Sequence, residues 1–550
     1  MEEVIKQGLS RDAIFLIVSV VVLIGILIFA RHRQKASNLK VLEETPEERK
    51  KRKRDFSIIK KLFDLQTKNK LPEGTLDDQT WEDLEMDKVY KEMDYTLTTP
   101  GMQKLYCLLR KPELDAGEIK RRRAVISFLQ KDVASNNKIR RILALLGRQM
   151  KGDIATFIYE NKHKYVNKLI FDLLSLLPFL LVFTFPFVGG YAVMLAIGAL
   201  ALNMAVHYNI NNKINAGMYS INYLASIAAA VDSIVKVDIP QIKEYSDILR
   251  KCRSTCEIIL KNSKAVERIE GVDVFGDYFN IIFLFQVRAY YKIMNKLENS
   301  KEDLVLIYNI IGEIDSIAAV ACYKNDIKDK ICEAEFIEDR SLMIKAALNP
   351  LLIEGIANDI TIGEKGIILT GSNMSGKSTY LRTAGVNSTL AQTFGFALAL
   401  EYKGVLLKIV SSISPRDDIS KGKSYYLGEA EAVHRVIKES EGEIPVLCII
   451  DEIFRGTNPM ERIAASTEIL LYLMKKRALV LVATHDLELT DYTKGYLTPY
   501  YFSEDVDDTE GLTFDYRLRE GVSPTRNAIK FLRYLGYPEE IVKKAEKRIS

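Results

Sequence analysis

Three kinds of hydrophobic patterning divide the chain. The first is unbroken apolar sequence. From Ala13 to Ala30 (AIFLIVSVVVLIGILIFA) no position is charged, and a helix of that length reaches ~27 Å, near the hydrocarbon thickness of a bilayer. A cleaved signal peptide is the alternative, but Arg31, His32, Arg33 and Lys35 follow where a small-residue cleavage site would lie, which favours an uncleaved anchor. Leu169 to Phe187 is apolar except for Asp172, and Tyr191 to Val206 is uncharged and rich in small residues (Ala192, Ala196, Gly198, Ala199, Ala201). Separated by Gly189-Gly190, the two runs predict a transmembrane hairpin over 169–206. A buried hairpin of a soluble helical domain is the alternative, disfavoured by the near absence of charge. Tyr278 to Val287 is also apolar but too short to span.

The second pattern runs from about Leu76 to Lys345, where apolar residues recur at helical spacing beside long charged faces, as in Glu118–Gln130 and Val287–Leu297. The third begins near Asn349. Short β-rich runs (Gly366–Thr370, Val405–Val410, Val446–Ile450, Leu479–Ala483) alternate there with helical stretches, Leu512–Leu518 adds strand character, and Thr525–Ser550 reads as one or two helices broken at Pro538. The predicted architecture is an α/β C-terminal domain plus an all-α domain carrying transmembrane helices. The segments are 1–12 outside the membrane, 13–30 spanning it, 31–75 a basic tether, 76–345 helical and 346–550 α/β.

Composition narrows this further. Of 550 residues, 48 % are hydrophobic and 27 % charged, enough apolar side chain for real cores and against wholesale disorder. Seventy-seven Lys and Arg against 73 Asp and Glu leave a net charge of +4, which excludes a histone-like binder and makes any anion site local. The cysteines (107, 252, 256, 322, 332 and 448) are too scattered for a disulfide scaffold. Cys252 and Cys256 could share a helix face, but no second pair or His cluster completes a metal site, so free thiols are expected. Basic residues flank the apolar runs on one side: Arg31, Arg33, Lys35 and Arg49–Arg54 after the first, Lys162, Lys164 and Lys168 before the hairpin and Lys213 after it. The topology expected is three spans in the cell membrane, N-terminus outside and the large soluble mass in the cytoplasm. Arg49–Arg54 (RKKRKR) is read as a lipid-headgroup or topology signal rather than a nucleic-acid patch.

The chemistry concentrates after residue 370. Gly371-Ser372-Asn373-Met374-Ser375-Gly376-Lys377-Ser378 fits the phosphate-loop pattern G-x4-G-K-[ST]. Glycines let backbone N–H groups face phosphates, the following helix N-terminus favours negative charge, Lys377 neutralises the terminal phosphates and the Ser378 hydroxyl can reach Mg²⁺. A predicted strand before the loop and a helix from Thr379 to Leu390 give the motif its context. Val446–Ile450 is an apolar run that delivers Asp451 to a sheet edge as an Mg²⁺ ligand and Glu452 beside it as the group that polarises water. Ala483-Thr484-His485-Asp486 ends another apolar strand, and His485 there is either a sensor of the terminal phosphate or a structural hydrogen-bonder. ATP with Mg²⁺ is the expected cofactor, and ATP hydrolysis the expected reaction.

The wording of these motifs resembles one family. Thr370–Thr379 (TGSNMSGKST) is similar to the phosphate loop of MutS proteins, Asp451–Thr457 (DEIFRGT) to their DEIGRGT, and Ala483-Thr-His485 with Glu488-Leu-Thr490 to their ATH…ELT. Asp417–Ser424 (DDISKGKS) resembles the family's signature-like segment, and Asp94–Gly101 (DYTLTTPG) with Glu118–Phe128 its helical core or lever domain. The resemblance covers about residues 76–550, most strongly in the last 200. It implies an ABC-type P-loop ATPase acting as a homodimer, with Lys377, Glu452 and His485 catalytic, Gly371 through Thr379 on the nucleotide, Ser378 and Asp451 on Mg²⁺, and Ser424 reaching the partner's nucleotide in trans. Asn358 and Asp359 would precede the loop as in the family. DNA is the ligand the family suggests. Yet residues 1–75 are taken by anchor and tether where a mismatch-reading domain is expected, no Phe-x-Glu wedge occurs within those residues, the hairpin stands where the DNA-embracing clamp would be, and Ser523–Ala528 (SPTRNA) replaces a Ser-Tyr-Gly. The expectation is therefore ATP chemistry without mismatch reading, coupled either to DNA or to movement of the hairpin or a membrane partner.

Overall fold

The computed structural model describes residues 36–160, 169–270, 281–297, 300–352, 354–371, 375–413, 425–454, 457–507, 511–523 and 528–549. The expected anchor at 13–30, Ser372, Asn373, Met374 and Ser424 lie outside them. The chain forms two compact units, each assembled from separate stretches: one from Met1–Lys68, Tyr95–Leu105 and Lys131–Ala319, the other from Asn69–Asp94, Tyr106–Gln130 and Val320–Ser550.

The first unit is helical. Helix Leu169–Phe183 and the short turn Phe185–Val188 lead to Gly189, whose φ of +59° reverses the chain at low cost because glycine has no Cβ. The returning helix, Gly190–Ile234, is 45 residues long. Its two halves differ in what they face. Tyr191, Met194, Leu195 and Ile197 are exposed, whereas Ile214, Met218, Ile221, Leu224, Ala228 and Val231 recur at three- and four-residue steps and are buried. The buried half packs with Val133–Leu146 and Arg253–Glu270. Two described helices are long and apolar enough to cross a membrane: Gly190–Ile210, only 28 % buried over its apolar window, and Lys301–Asp326, 78 % buried and therefore a core helix.

That core helix carries Asp315, which organises the Asp94–Gly101 motif. The buried Asp315 carboxylate accepts from the Leu97 and Thr98 amides and from the Thr98 hydroxyl at 2.7–3.1 Å. Burial pushes its pKa up and these donors oppose the rise. Gly101 is required beside it, since an added Cβ would lie 1.9 Å from Asp315 Oδ2. The basic run at 49–54 is partly used inside the same unit. The Arg49 guanidinium lies 3.5 Å from the Tyr95 ring centroid, Arg52 donates to Glu44 at 2.6 Å, and Arg54 donates to the carbonyls of Arg49, Lys50 and Arg52 at the end of helix Pro46–Lys50. The sequence suggested a lipid-headgroup or topology signal for this run; Arg49, Arg52 and Arg54 also make these contacts within the protein.

The second unit holds two sheets. β1 (Cys332–Phe336), β2 (Leu342–Ala347), β3 (Asn358–Ile362), β5 (Phe396–Ala397) and β6 (Glu401–Gly404) form a mixed five-stranded sheet in the order β3-β2-β6-β1-β5. β4 (Gly366–Thr370), β7 (Lys408–Ser412), β8 (Val446–Asp451), β9 (Ala478–Ala483), β10 (Leu497–Asp507) and β11 (Gly511–Glu520) form the other, in the order β11-β10-β4-β9-β8-β7. All neighbours in it are parallel except β10 and β11. β4, β8 and β9 are buried throughout, which is why they read as continuous apolar runs. The strand expected at 405–410 starts later because the Val405 amide donates to Ser341 and extends the other sheet. Likewise β1 and β2 start before residue 346, and Asn69–Asp94 and Tyr106–Gln130 contribute to the same unit. Asp83, fully buried, accepts from the Ser411 hydroxyl (2.7 Å) and the Ile413 amide (2.9 Å), Arg435 pairs with Asp77, and Arg122 donates to the Thr393 carbonyl at 2.8 Å. Leu84 packs where Gly385 leaves room, 2.6 Å from an added Cβ.

Candidate functional site

Parallel pairing builds the site. Asp451 pairs with Ala483 and Leu369 pairs with Ala483, so β8, β9 and β4 end at one level. The turns that leave these strands therefore meet at the carboxyl edge, where open α/β sheets bind ligands. After β4 comes Gly371 (φ +132°) and then Gly376 (φ +105°), left-handed positions that suit glycine, and Gly376 caps helix Lys377–Phe394. An added Cβ on Gly371 would lie 3.1 Å from the Ser375 hydroxyl, and one on Gly376 3.2 Å from the Tyr516 ring. Lys377 is buried and its Nζ donates to the Gly371 carbonyl at 2.6 Å, so the ammonium is held back over the loop that precedes it. Ser375 is buried, and Ser378 and Thr379 sit in the helix's first turn.

The Ser378 hydroxyl donates to Asp451 Oδ2 at 2.5 Å. Two hard oxygen donors converge there, the set Mg²⁺ favours when phosphates and waters complete its shell. Among the described residues no group of three or more His, Cys, Asp or Glu side chains could hold a metal on protein ligands alone, so the donor set fits an ion that arrives with a nucleotide. Glu452 follows with φ +59°, a left-handed backbone that is uncommon for a non-glycine residue, and Phe454 shares it. The Glu452 amide donates to the Ala483 carbonyl at 2.9 Å, and its carboxylate lies 2.7 Å from His485 Nε2. The structure thus brings Lys377, Ser378, Asp451, Glu452 and His485 to one sheet edge.

Two features were not foreseen from sequence. Arg462, on helix Pro459–Lys475, grips Asp486 through both Nε (2.7 Å) and Nη2 (2.5 Å), and the pair lines a cleft of about 130 Å³ with Glu452, Thr484 and His485. Asp486 was visible as the last residue of the Ala483–Asp486 motif, but its partner Arg462 was not, because it lies 24 residues earlier in no shared motif. A larger cleft of about 610 Å³ opens beside Gly376, Ser378 and Thr379 and is walled by Asn349, Leu352, Ile356, Phe502 and Tyr516. Asn358 is structural there: its amide donates to the Tyr516 carbonyl (2.9 Å) and accepts from the Leu518 amide (2.8 Å), stitching β3 to β11.

Comparison with known proteins agrees with this geometry. Residues 367–550 match the family described as MutS domain V. The chain is similar to the DNA mismatch repair protein MutS of Aquifex pyrophilus (32 % identical over 253 residues, 43 % of this chain and 28 % of that protein). It is also similar to the MutS of Thermus aquaticus (29 % over 261 residues, 47 % and 31 %) and to the endonuclease MutS2 of Lactobacillus acidophilus (31 % over 267 residues, 47 % and 34 %). The chain thus spans about a third of the length of the relatives it matches. The part of the chain that carries the site, residues 367–550, is thus similar to MutS domain V.

Proposed function

We propose that the protein is a membrane-held ATPase that hydrolyses ATP at the carboxyl edge of its parallel sheet. The observation that carries the reading is the meeting of Lys377, the Ser378–Asp451 pair and the Glu452–His485 pair at the ends of three adjacent strands. Backbone amides of the loop and the helix N-terminus hold the phosphates, and Lys377 leaves the Gly371 carbonyl for the terminal phosphates. Ser378 and Asp451 would hold Mg²⁺, which would supply charge neutralisation to the bound phosphates. Glu452 accepts a hydrogen bond from the attacking water, and His485, hydrogen-bonded to Glu452, fixes the carboxylate and faces the terminal phosphate. The cleft of about 610 Å³, with Ile356, Leu352 and Tyr516 on its walls, suits the nucleoside. By the family resemblance two copies share each site, with Ser424 reaching across.

The exposed apolar hairpin supports attachment to a bilayer, with the anchor at 13–30 as a further span and the ATPase on the cytoplasmic side. The names of the relatives favour coupling of ATP to DNA. A second reading, in which ATP moves the hairpin or a membrane partner without DNA, is favoured by that hairpin and by the internal use of Arg49, Arg52 and Arg54.

Detergent-solubilised full-length protein tests both levels. Steady ATP turnover that vanishes in Glu452→Gln while nucleotide binding persists is expected, and undiminished turnover in that variant rejects the assigned base. Affinity for duplex and branched DNA, measured across salt with and without ATP, separates the two couplings: a phosphate-contacting footprint must weaken steeply as salt rises, and no binding at low salt leaves the membrane reading.

A further inference from the structure

The apolar hairpin contains polar groups whose placement is informative. Asn203, on the exposed half of Gly190–Ile234, is itself buried, and its amide donates to two carbonyls, Leu174 and Ile282, both at 3.0 Å. Leu174 lies four residues before Pro178, inside helix Leu169–Phe183. A proline has no N–H, so the Leu174 carbonyl lacks its helical donor. Ile282 lies two residues before Leu284, where φ of +50° breaks the helix. One buried side chain thus serves a carbonyl orphaned by a proline and another beside a chain break. In water such carbonyls would be served by solvent. Within hydrocarbon they need a protein donor, and irregular backbone survives at that depth only where protein supplies one.

Other contacts fix the depth of the broken segment. Phe283 stacks on Phe179 (ring centroids 5.1 Å apart, 15° between planes), and Tyr291 stacks on Phe171 (5.2 Å, 4°). Arg288 Nε donates to Asp172 at 2.5 Å. Counted from Leu169 at 1.5 Å per residue, Asp172 is ~5 Å along the helix, Leu174 ~8 Å and Phe179 ~15 Å. If lipid begins at Leu169, the ion pair lies at headgroup level, where charge is tolerated, and Phe283 lies near the midplane. The outer side of the same helix presents Leu173, Leu176, Leu180 and Phe183 to the surroundings, an uncharged face suited to acyl chains rather than to a polar partner.

We propose that Ile281–Leu284 enters the lipid beside the hairpin as a third, half-depth element, and that Asn203 is the donor that allows its broken backbone to lie there. The described residues of this segment reach only about half the depth of the layer. This rests on the membrane reading above. The Asp172–Arg288 pair closes the arrangement at the lipid surface.

Depth-resolved quenching tests it on the full-length protein in phosphatidylcholine–phosphatidylglycerol vesicles. The chain has a single tryptophan, so Trp81→Phe with one new indole, Phe283→Trp or the hairpin-tip control Phe187→Trp, reports one place at a time. Bromine at mid-chain on the lipids is expected to quench Phe283→Trp at least threefold more than aqueous acrylamide does. Asn203→Leu is expected to reverse that preference for Phe283→Trp while leaving Phe187→Trp in lipid. Acrylamide quenching of Phe283→Trp with lipid quenching of Phe187→Trp overturns the third element but keeps the hairpin in the membrane. Lipid quenching of neither overturns the membrane reading itself, and shielding of Phe283→Trp from both quenchers assigns its surface to a protein partner and overturns the proposal. An unchanged Asn203→Leu overturns the role of that amide. Should an indole at 283 disturb folding, a nitroxide on Phe285→Cys reads the same depth through collisions with oxygen against a water-soluble nickel chelate.

Discussion

The carboxyl edge of the parallel sheet and the interior of the hairpin unit both bury polar groups among apolar strands or helices, yet they use them differently. At the sheet edge, Lys377, Ser378, Asp451, Glu452 and His485 lie at the ends of elements, beside clefts, and their mutual contacts are ones a ligand can replace. In the helical unit, Asp315 and Asn203 lie within helices and spend their hydrogen bonds mainly on backbone groups. A polar group poised at an element's end is available for chemistry, and one spent inside it specifies a fold.

Substitutions can break this contrast. The largest effect is expected for Lys377→Ala, which should weaken nucleotide binding at least 100-fold in calorimetry while leaving thermal unfolding nearly unchanged. Glu452→Gln should lower kcat by about two to three orders of magnitude with Kd for ATP little altered, as loss of a general base implies. On the structural side, Gly101→Ala drives a methyl into the Asp315 carboxylate and should destabilise by about 2–4 kcal/mol, read as a fall in Tm, because overpacking and a lost buried network act together. Arg462→Ala should reduce kcat by about tenfold with little change in KM, and Asp486→Asn should do no further harm on top of it, since both release the turn that carries His485. The smallest effect concerns thiols. Burial raises Cys252 to about 11 and Cys256 to about 12, so the thiolate fraction at pH 8 is roughly a thousandth or less. Alkylation by iodoacetamide should be slow at pH 8 and rise with pH toward those values, and rapid labelling at pH 8 would show that this helix packing opens.

Legibility in the sequence divides along the same line. β4, β8 and β9 are legible because strands buried on both faces must be apolar throughout, and the phosphate loop because its chemistry fixes residue types at close spacing. The hairpin is legible for a similar reason, as its outward side chains are all apolar. β1 (CEAEF) was not, since a half-exposed strand alternates and its charged residues read as a helix face. The Arg462–Asp486 pair, the partnership of Asp315 with Thr98 and the service of Asn203 to Leu174 were invisible, because each joins residues whose proximity is created only by tertiary packing.

Asp83 carries a practical lesson. A carboxylate from the early part of the chain is sealed against Ser411 and Ile413, with Leu84 lodged against Gly385 on the helix that follows the phosphate loop. A shortened gene beginning at codon 346 would therefore encode a catalytic half stripped of its own lining, prone to clump in the test tube. A soluble catalytic half would have to keep Asn69–Asp94, Tyr106–Gln130 and the β1–β2 strands as well.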